Sequence, residues 1–63
     1  MTEDNQLTPR EIEVLKQLRE GHTYKQTAQT LKISEETVRK HVTNLYTKLD
    51  VKNRTQAINK YFK

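Results

Sequence analysis

The sequence predicts an all-α fold, a compact bundle of four short helices, from three observations. Apolar residues recur at spacings of three and four, the period of a helix with one buried face, and nowhere alternate as in a strand. A Ser, Thr or Asn precedes each apolar segment where a helix cap is expected. With 63 residues, the chain is one small domain that buries about 60% of its unfolded surface, too little for a large enclosed active site.

The first helix is predicted over residues 9–20. Thr8 suits the N-cap, Pro9 suits the first helical position, and Glu11 lies three residues after the cap, where it completes a capping box. Gly21 suits the left-handed position that ends a helix, because glycine adopts a positive φ without steric cost. The predicted buried face consists of Val14, Leu15 and Leu18.

A short second helix is predicted after Thr23, with Gln26 closing its capping box. Ser34 then suits the N-cap of a longer third helix, whose first turn holds two acids that favour the positive end of the helix dipole. This order of short helix, tight turn and longer helix has the spacing of a helix-turn-helix motif. One side of the second helix is predicted to carry Tyr24, Thr27, Ala28 and Leu31.

The third helix is predicted to have a narrow apolar stripe and an opposite polar face. At about 100° per residue, the later apolar residues fall within about 40° of Val38. The stripe consists of Val38, Val42, Leu45 and Leu49, and the opposite face presents Glu36, Arg39, Lys40, Thr43 and Thr47.

A fourth helix is predicted to begin at Asn53, with Gln56 three residues on, and to run to the chain end. Its apolar residues are Ala57, Ile58, Tyr61 and Phe62. Residues 1–6 are polar and are predicted to be a flexible lead or linker end, which leaves residues 7–63 as the folded domain.

The formal net charge of +4 is unevenly distributed along the chain. Residues 1–20 carry five acids and three bases, whereas residues 21–63 carry three acids and nine bases. A basic segment of this kind is the electrostatic footprint of a nucleic-acid binder. The chain has no Cys, no signal-peptide pattern and no apolar run near the roughly 20 residues that span a bilayer. We therefore expect a cytoplasmic protein with no membrane partner.

Catalytic and metal-binding patterns are absent from the sequence. Gly21 is the only glycine, so no glycine-rich phosphate loop can form, and no nucleophile, base and acid occur in a recognisable arrangement. His41 is one of two His and has no partner at ligand spacing, which favours packing or a phosphate contact over metal binding. We expect no enzymatic activity, no metal and no cofactor.

The basic face of the third helix has two interpretations. Glu35 and Arg39 lie at i, i+4, as do Glu36 and Lys40, and such pairs support a solvated helix by about 0.2 to 0.5 kcal/mol each. Long basic side chains near the helix start with short polar ones beside them also suit a helix that lies in a DNA groove. The predicted phosphate-binding residues are Thr23, Lys25, Ser34, Thr37, His41 and Lys48.

The chain resembles the DNA-binding domain of the LuxR type, found in quorum-sensing and nitrate-type response regulators. The matching strings are "LTPREIEVL" from Leu7, "TVRKHV" from Thr37 and "KLDVKNRTQA" from Lys48. The resemblance implies a bacterial transcription regulator that binds double-stranded DNA sequence-specifically, with its third helix in the major groove. It implies that the base-reading residues are Arg39, Lys40 and Thr43, which lie on the polar face of that helix. It also implies a homodimer interface on the fourth helix, at Ile58, Tyr61 and Phe62, for which packing onto the domain's own core is the alternative.

Two residues depart from the pattern of the family. Thr27 stands where Ile or Val is usual, which predicts either less apolar packing or a hydrogen bond from the hydroxyl to its own helix backbone. Asp50 stands where Gly is usual, which is tolerable because Asp adopts the left-handed region more readily than most residues.

RNA polymerase is a further partner that the resemblance implies. The alternatives are a promoter-binding domain like region 4 of a sigma factor, and a helical protein-interaction module.

Overall fold

The computed structural model describes residues 7–62, which form four helices. They are α1 (Pro9–Arg19), α2 (Tyr24–Leu31), α3 (Glu35–Leu49) and α4 (Arg54–Phe62). The predicted all-α bundle with a helix-turn-helix at α2 and α3 is confirmed, and the described residues include no strand. α1 ends one residue earlier than predicted. The predicted flexible lead, residues 1–6, lies outside the described residues.

The predicted capping boxes of α1 and α2 are both formed. Thr8 Oγ1 accepts a hydrogen bond from the Glu11 amide at 3.2 Å, and Glu11 Oε1 accepts one from the Thr8 amide at 3.0 Å. Thr23 and Gln26 repeat this exchange at 3.0 and 2.9 Å. Each box satisfies two amides that the start of a helix otherwise leaves without a partner, so the sequence fixes these two starts locally.

The caps of α3 and α4 are also as predicted, with one change. Ser34 Oγ accepts from the Thr37 amide at 3.0 Å, and Asn53 Oδ1 accepts from the Gln56 amide at 2.9 Å. The Gln56 side chain accepts from the Lys52 amide, one residue before the cap, instead of closing a box with Asn53. α4 therefore begins where the sequence predicts, with its side-chain hydrogen bond displaced by one residue.

Three helices end at a residue in the left-handed region. Gly21, with φ of 89°, and Asp50, with φ of 58°, take the conformations that the sequence predicts for them. Lys32 ends α2 with φ of 63°. This left-handed conformation was not predicted, because lysine rarely adopts a positive φ. The tight turn before α3 thus depends on a backbone conformation that the surrounding packing imposes.

α3 is the central helix of the bundle and packs against α1, α2 and α4. Its predicted apolar stripe is buried together with the buried face of α1, and the core consists of Leu7, Val14, Leu15, Leu18, Ala28, Val38, Val42, Leu45, Leu49 and Ala57. Thr27 is fully buried beside this core, and its hydroxyl has no hydrogen-bond partner among the described residues. Of the two alternatives predicted for Thr27, the hydrogen bond to its own helix backbone is therefore not the one that is formed.

Candidate nucleic-acid interface

The outward face of α3 is the candidate interface. Because Val38 and Leu45 are fully buried, the rotation of α3 about its axis is fixed. The residues on the opposite side are consequently all exposed: Glu36, Arg39, Lys40, Thr43 and Thr47. The structure thus brings together the three predicted base-reading residues, Arg39, Lys40 and Thr43, on one exposed face. Their contact with bases stays a prediction.

Thr43 and Thr47 place short side chains at the centre of this exposed face. Thr47 Oγ1 donates to the carbonyl oxygen of Thr43 at 3.0 Å, so its hydroxyl already has a partner on its own helix. The Thr43 side chain is exposed one turn after Arg39 and about one turn after Lys40. Long cations and a short neutral side chain therefore lie side by side, an arrangement in which the helix backbone can approach a flat surface while the cations reach further.

The predicted ion pairs along α3 are not formed. Neither Glu35 with Arg39 nor Glu36 with Lys40 makes a salt bridge, although all four residues are described and exposed. The physical reason is that an exposed pair gains little in water and loses side-chain freedom when it forms. The interpretation in which the two acids pair with these cations is therefore not realised, and both cations are exposed.

Hydroxyl groups at the starts of α2 and α3 are engaged in capping. Thr23 Oγ1 accepts from an amide, which leaves its O–H free to donate. Ser34 Oγ lies 2.9 Å from Thr37 Oγ1, so these two hydroxyls form a hydrogen bond with each other. Lys25 is exposed in the first turn of α2. The structure places these predicted phosphate-binding residues at the starts of the two helices of the motif, and their role stays a prediction.

Lys48, also predicted to bind phosphate, forms a salt bridge that the sequence did not reveal. Its Nζ donates to Glu11 Oε1 at 2.8 Å and so joins the last turn of α3 to the first turn of α1. The Glu11 side chain is 5% exposed and that of Lys48 is 34% exposed. The sequence singles out Glu11 only as a capping residue, because a contact between residues this far apart leaves no local pattern.

Glu11 is charged in this setting. Burial acts to raise the pKa of its carboxyl, but the hydrogen bonds from Lys48 and from the Thr8 amide lower it, as do the charges of Lys48 and His41, and the net pKa lies below the ordinary value of a glutamate. His41, a further predicted phosphate-binding residue, is thus close enough to Glu11 to act on it electrostatically. The side chain of His41 is half-buried on the side of α3 that is near α1.

Tyr46 is a half-buried residue of α3 near Tyr24 of α2 and Arg54 of α4. Burial raises the pKa of its hydroxyl, as does the neighbouring Tyr24, while the charge of Arg54 acts in the opposite direction. Tyr46 is therefore a neutral hydroxyl at neutral pH, close to the starts of α2 and α4. No sequence pattern singles out Tyr46 or Arg54 as a site residue.

The predicted dimer residues on α4 have different environments. Ile58 and Phe62 are half-buried and pack against the core, and the guanidinium carbon of Arg19 lies 4.0 Å from the centre of the Phe62 ring. Tyr61 is 39% exposed, and its ring meets Phe62 edge-on with centres 5.1 Å apart. The alternative of packing onto the domain's own core is thus realised for Ile58 and Phe62, and a dimer interface stays a prediction.

Residues 7–62 contain neither a metal-binding cluster nor a membrane-spanning helix. In this range no group of three or more His, Asp or Glu is placed to hold a metal ion. The helices described are all too short or too polar to cross a membrane.

Comparison with protein families gives a match over nearly the whole chain. The family model GerE, described as bacterial regulatory proteins of the luxR family, matches residues 5–61. The CsgBAC operon transcriptional regulatory protein of Escherichia coli is 51% identical over 57 residues, which cover 90% of this chain and 26% of that protein. The transcriptional regulatory protein LiaR of Bacillus subtilis is 49% identical over 51 residues, which cover 81% of this chain and 24% of LiaR.

A solved structure has the same arrangement of helices. The crystal structure of the response regulator ChrA, from a heme-sensing two-component system, is similar with a TM-score of 0.84 and 47% sequence identity. The match covers 87% of this chain and 27% of the ChrA chain. The present chain thus spans about a quarter of the length of these relatives.

Proposed function

The chain belongs to the LuxR family of bacterial regulatory proteins as a helix-turn-helix domain for DNA-binding transcription regulation, and from this premise we propose how it binds. α3 enters the major groove of double-stranded DNA, with Arg39, Lys40 and Thr43 against the base edges. The observation that carries this proposal is the exposed face of α3, where two cations that form no salt bridge within residues 7–62 lie beside a short side chain.

The dimensions and chemistry of the two partners agree with this proposal. A helix with its side chains is about 10 to 12 Å wide, and the major groove of B-form DNA is about 12 Å wide. Arg39 and Lys40 can donate to the acceptor atoms of guanine, and Arg39 can do so with two parallel hydrogen bonds. Thr43 is short enough to contact a thymine methyl group or accept a hydrogen bond without holding the helix away.

Contacts to the DNA backbone fix the position of α3 in the groove. We assign these contacts to the hydroxyls at the starts of α2 and α3 and to Lys25 in the first turn of α2. We assign further contacts to His41 and Lys48, on the side of α3 that is near α1. Phosphate contacts carry little sequence information, but they set affinity and its dependence on salt. The proposed phosphate-binding residues are Thr23, Lys25, Ser34, Thr37, His41 and Lys48.

The remaining proposals concern the whole protein. Dimerisation on DNA would use the exposed Tyr61 with the edges of Ile58 and Phe62, and would favour an inverted repeat with half-sites about one helical turn apart. Regulation by such a domain is a binding activity in the cytoplasm, without catalysis, and proceeds through contact with RNA polymerase or its promoter.

The proposed binding mode is tested by titrating a fluorescent duplex with the 63-residue chain at several salt concentrations. We expect the logarithm of the affinity to fall linearly with the logarithm of the salt concentration, with a slope of several units, because each phosphate contact releases about one counterion. Affinity that is independent of salt would contradict the proposal and favour a protein-interaction module instead.

A further inference from the structure

Glu11 is a buried carboxylate that the structure fixes from two directions. Its Oε1 accepts from the Thr8 amide at 3.0 Å and from Lys48 Nζ at 2.8 Å. Its own amide donates to Thr8 Oγ1, so the start of α1 holds both the backbone and the side chain of Glu11 in place. Capping the helix requires only the Thr8 contacts. The bond to Lys48 is therefore additional to what the start of α1 needs.

Lys48 is the long, flexible member of the pair, and Glu11 restricts it. An ammonium group has three N–H donors, of which Glu11 takes one. The side chain of Lys48 is 34% exposed, so a ligand at the edge of α3 has access to part of it. A free lysine loses considerable rotamer freedom when it binds, whereas a lysine that is already held loses less.

We infer that Glu11 is a positioning residue for DNA binding, which holds the Lys48 ammonium where its remaining donors contact a backbone phosphate. This inference rests on the proposed function, in which α3 lies in the major groove. It assigns Glu11 a role through Lys48 alone, since a buried carboxylate cannot itself meet a phosphate. The contribution of Glu11 is to fix the geometry of Lys48, and its negative charge opposes the phosphate.

Two substitutions of Glu11 separate geometry from charge. Glu11→Gln keeps the length of the side chain and an oxygen that can accept both hydrogen bonds, but removes the charge. Glu11→Asp keeps the charge but shortens the side chain by one methylene, so the carboxylate no longer reaches Lys48 Nζ. Positioning predicts that Glu11→Asp weakens DNA binding about two- to tenfold, the range for ordering one long side chain, and that Glu11→Gln binds at least as tightly as wild type.

The experiment measures the affinity of these variants for a mixed-sequence duplex of about 20 base pairs, in wild-type and Lys48→Met backgrounds. Affinities are normalised to the folded fraction from circular dichroism. Glu11→Asp should have no further effect once Lys48 is Met, and Lys48→Met should reduce the salt slope by about one unit while Lys48→Arg retains it. Glu13→Asp, the same change at an exposed carboxylate of α1, is the control and should leave affinity unchanged.

Equal weakening by Glu11→Asp in both backgrounds would overturn the inference, because the effect would not act through Lys48. An unchanged salt slope in Lys48→Met would also overturn it, while salt-dependent binding by the wild type would still support the proposed function. Loss of salt dependence in the wild type would contradict the proposed function itself.

Should Glu11→Asp fail to fold, NMR of the Lys48 ammonium group in the wild type decides the question. A resonance observed before DNA is added, and shifted by the duplex, supports positioning. A resonance unaffected by the duplex overturns it.

Discussion

Two lysines of α3 differ in their contacts, one on the exposed outward face and one on the side that is joined to α1 by a salt bridge. Lys40 is exposed and has no salt bridge among residues 7–62, whereas Lys48, two turns further on, is held by a buried carboxylate at 2.8 Å. The difference arises from the acceptor. Glu36 is in water and gains little by pairing with Lys40, but Glu11 is buried and needs a donor for its charge. The same residue type is thus free to reach a ligand on one side and fixed on the other.

The largest effect that this comparison predicts is on stability, from Glu11→Ala. Removing the carboxylate takes away the salt bridge and half of the α1 capping box, and we expect the free energy of unfolding to fall by about 3 kcal/mol in urea titrations. Glu13→Ala, which removes an exposed partner of Arg10, is the control and should cost less than about 0.5 kcal/mol. A similar small cost for both variants would show that the two carboxylates are equivalent.

The next effect is on binding, from Arg39→Ala and Lys40→Ala. Each variant should weaken specific DNA binding by about 1 to 3 kcal/mol if its side chain contacts guanine, and should relax the preference at one base position. Stability should change by less than about 0.5 kcal/mol, because both side chains are exposed and make no salt bridge with the part of the chain that the structure describes. Unchanged sequence preference in both variants would move base reading away from this face.

A smaller effect should appear when the pH is lowered. The pKa of Glu11 is held below the ordinary value of a glutamate in the folded chain, so its ionised form contributes stability that is fully present above the pKa of the unfolded chain and is lost as the pH falls through the folded pKa. Free energies of unfolding measured between about pH 7 and pH 3 should therefore converge for the wild type and Glu11→Gln. A constant difference across this range would mean that Glu11 does not contribute through its charge.

The smallest effect concerns the acids of α3. Because Glu35 and Glu36 make no salt bridge with the cations one turn later, Glu35→Gln and Glu36→Gln should change stability by less than about 0.5 kcal/mol. Both should tighten DNA binding slightly, since each removes a negative charge near phosphates. Weaker DNA binding in either variant would indicate that the acid orients a cation when DNA is bound.

These contrasts show which parts of the structure could be predicted from the sequence. Helix starts are local, so Thr8 and Thr23 with the residues three positions later predicted two capping boxes that the structure contains. The rotation of α3 followed from the spacing of its apolar residues, and this placed Arg39, Lys40 and Thr43 on one exposed face. Local pattern and periodicity are properties of neighbouring residues, and the sequence states them directly.

Features that depend on tertiary packing could not be predicted in this way. The contact between Glu11 and Lys48 joins residues 37 positions apart, and no spacing rule selects it from the other acid and base pairs of the chain. The left-handed Lys32 and the unpartnered hydroxyl of Thr27 are likewise imposed by how α2 packs into the bundle. The spacing of acids and bases along α3 also suits ion pairs that are not formed. Spacing does not tell whether a pair is exposed to water, and an exposed pair gains little free energy by forming.

The most direct test of the account is selection of preferred sites from a random duplex library by the wild-type chain and by Arg39→Ala, at near-physiological salt. We expect the wild type to enrich a defined motif and Arg39→Ala to lose the preference at one position of it, because direct contacts to base edges carry the sequence information. A paired motif would in addition support a dimer on DNA. Enrichment of no motif, or of the same motif by both proteins, would contradict the claim that the exposed face of α3 reads the bases.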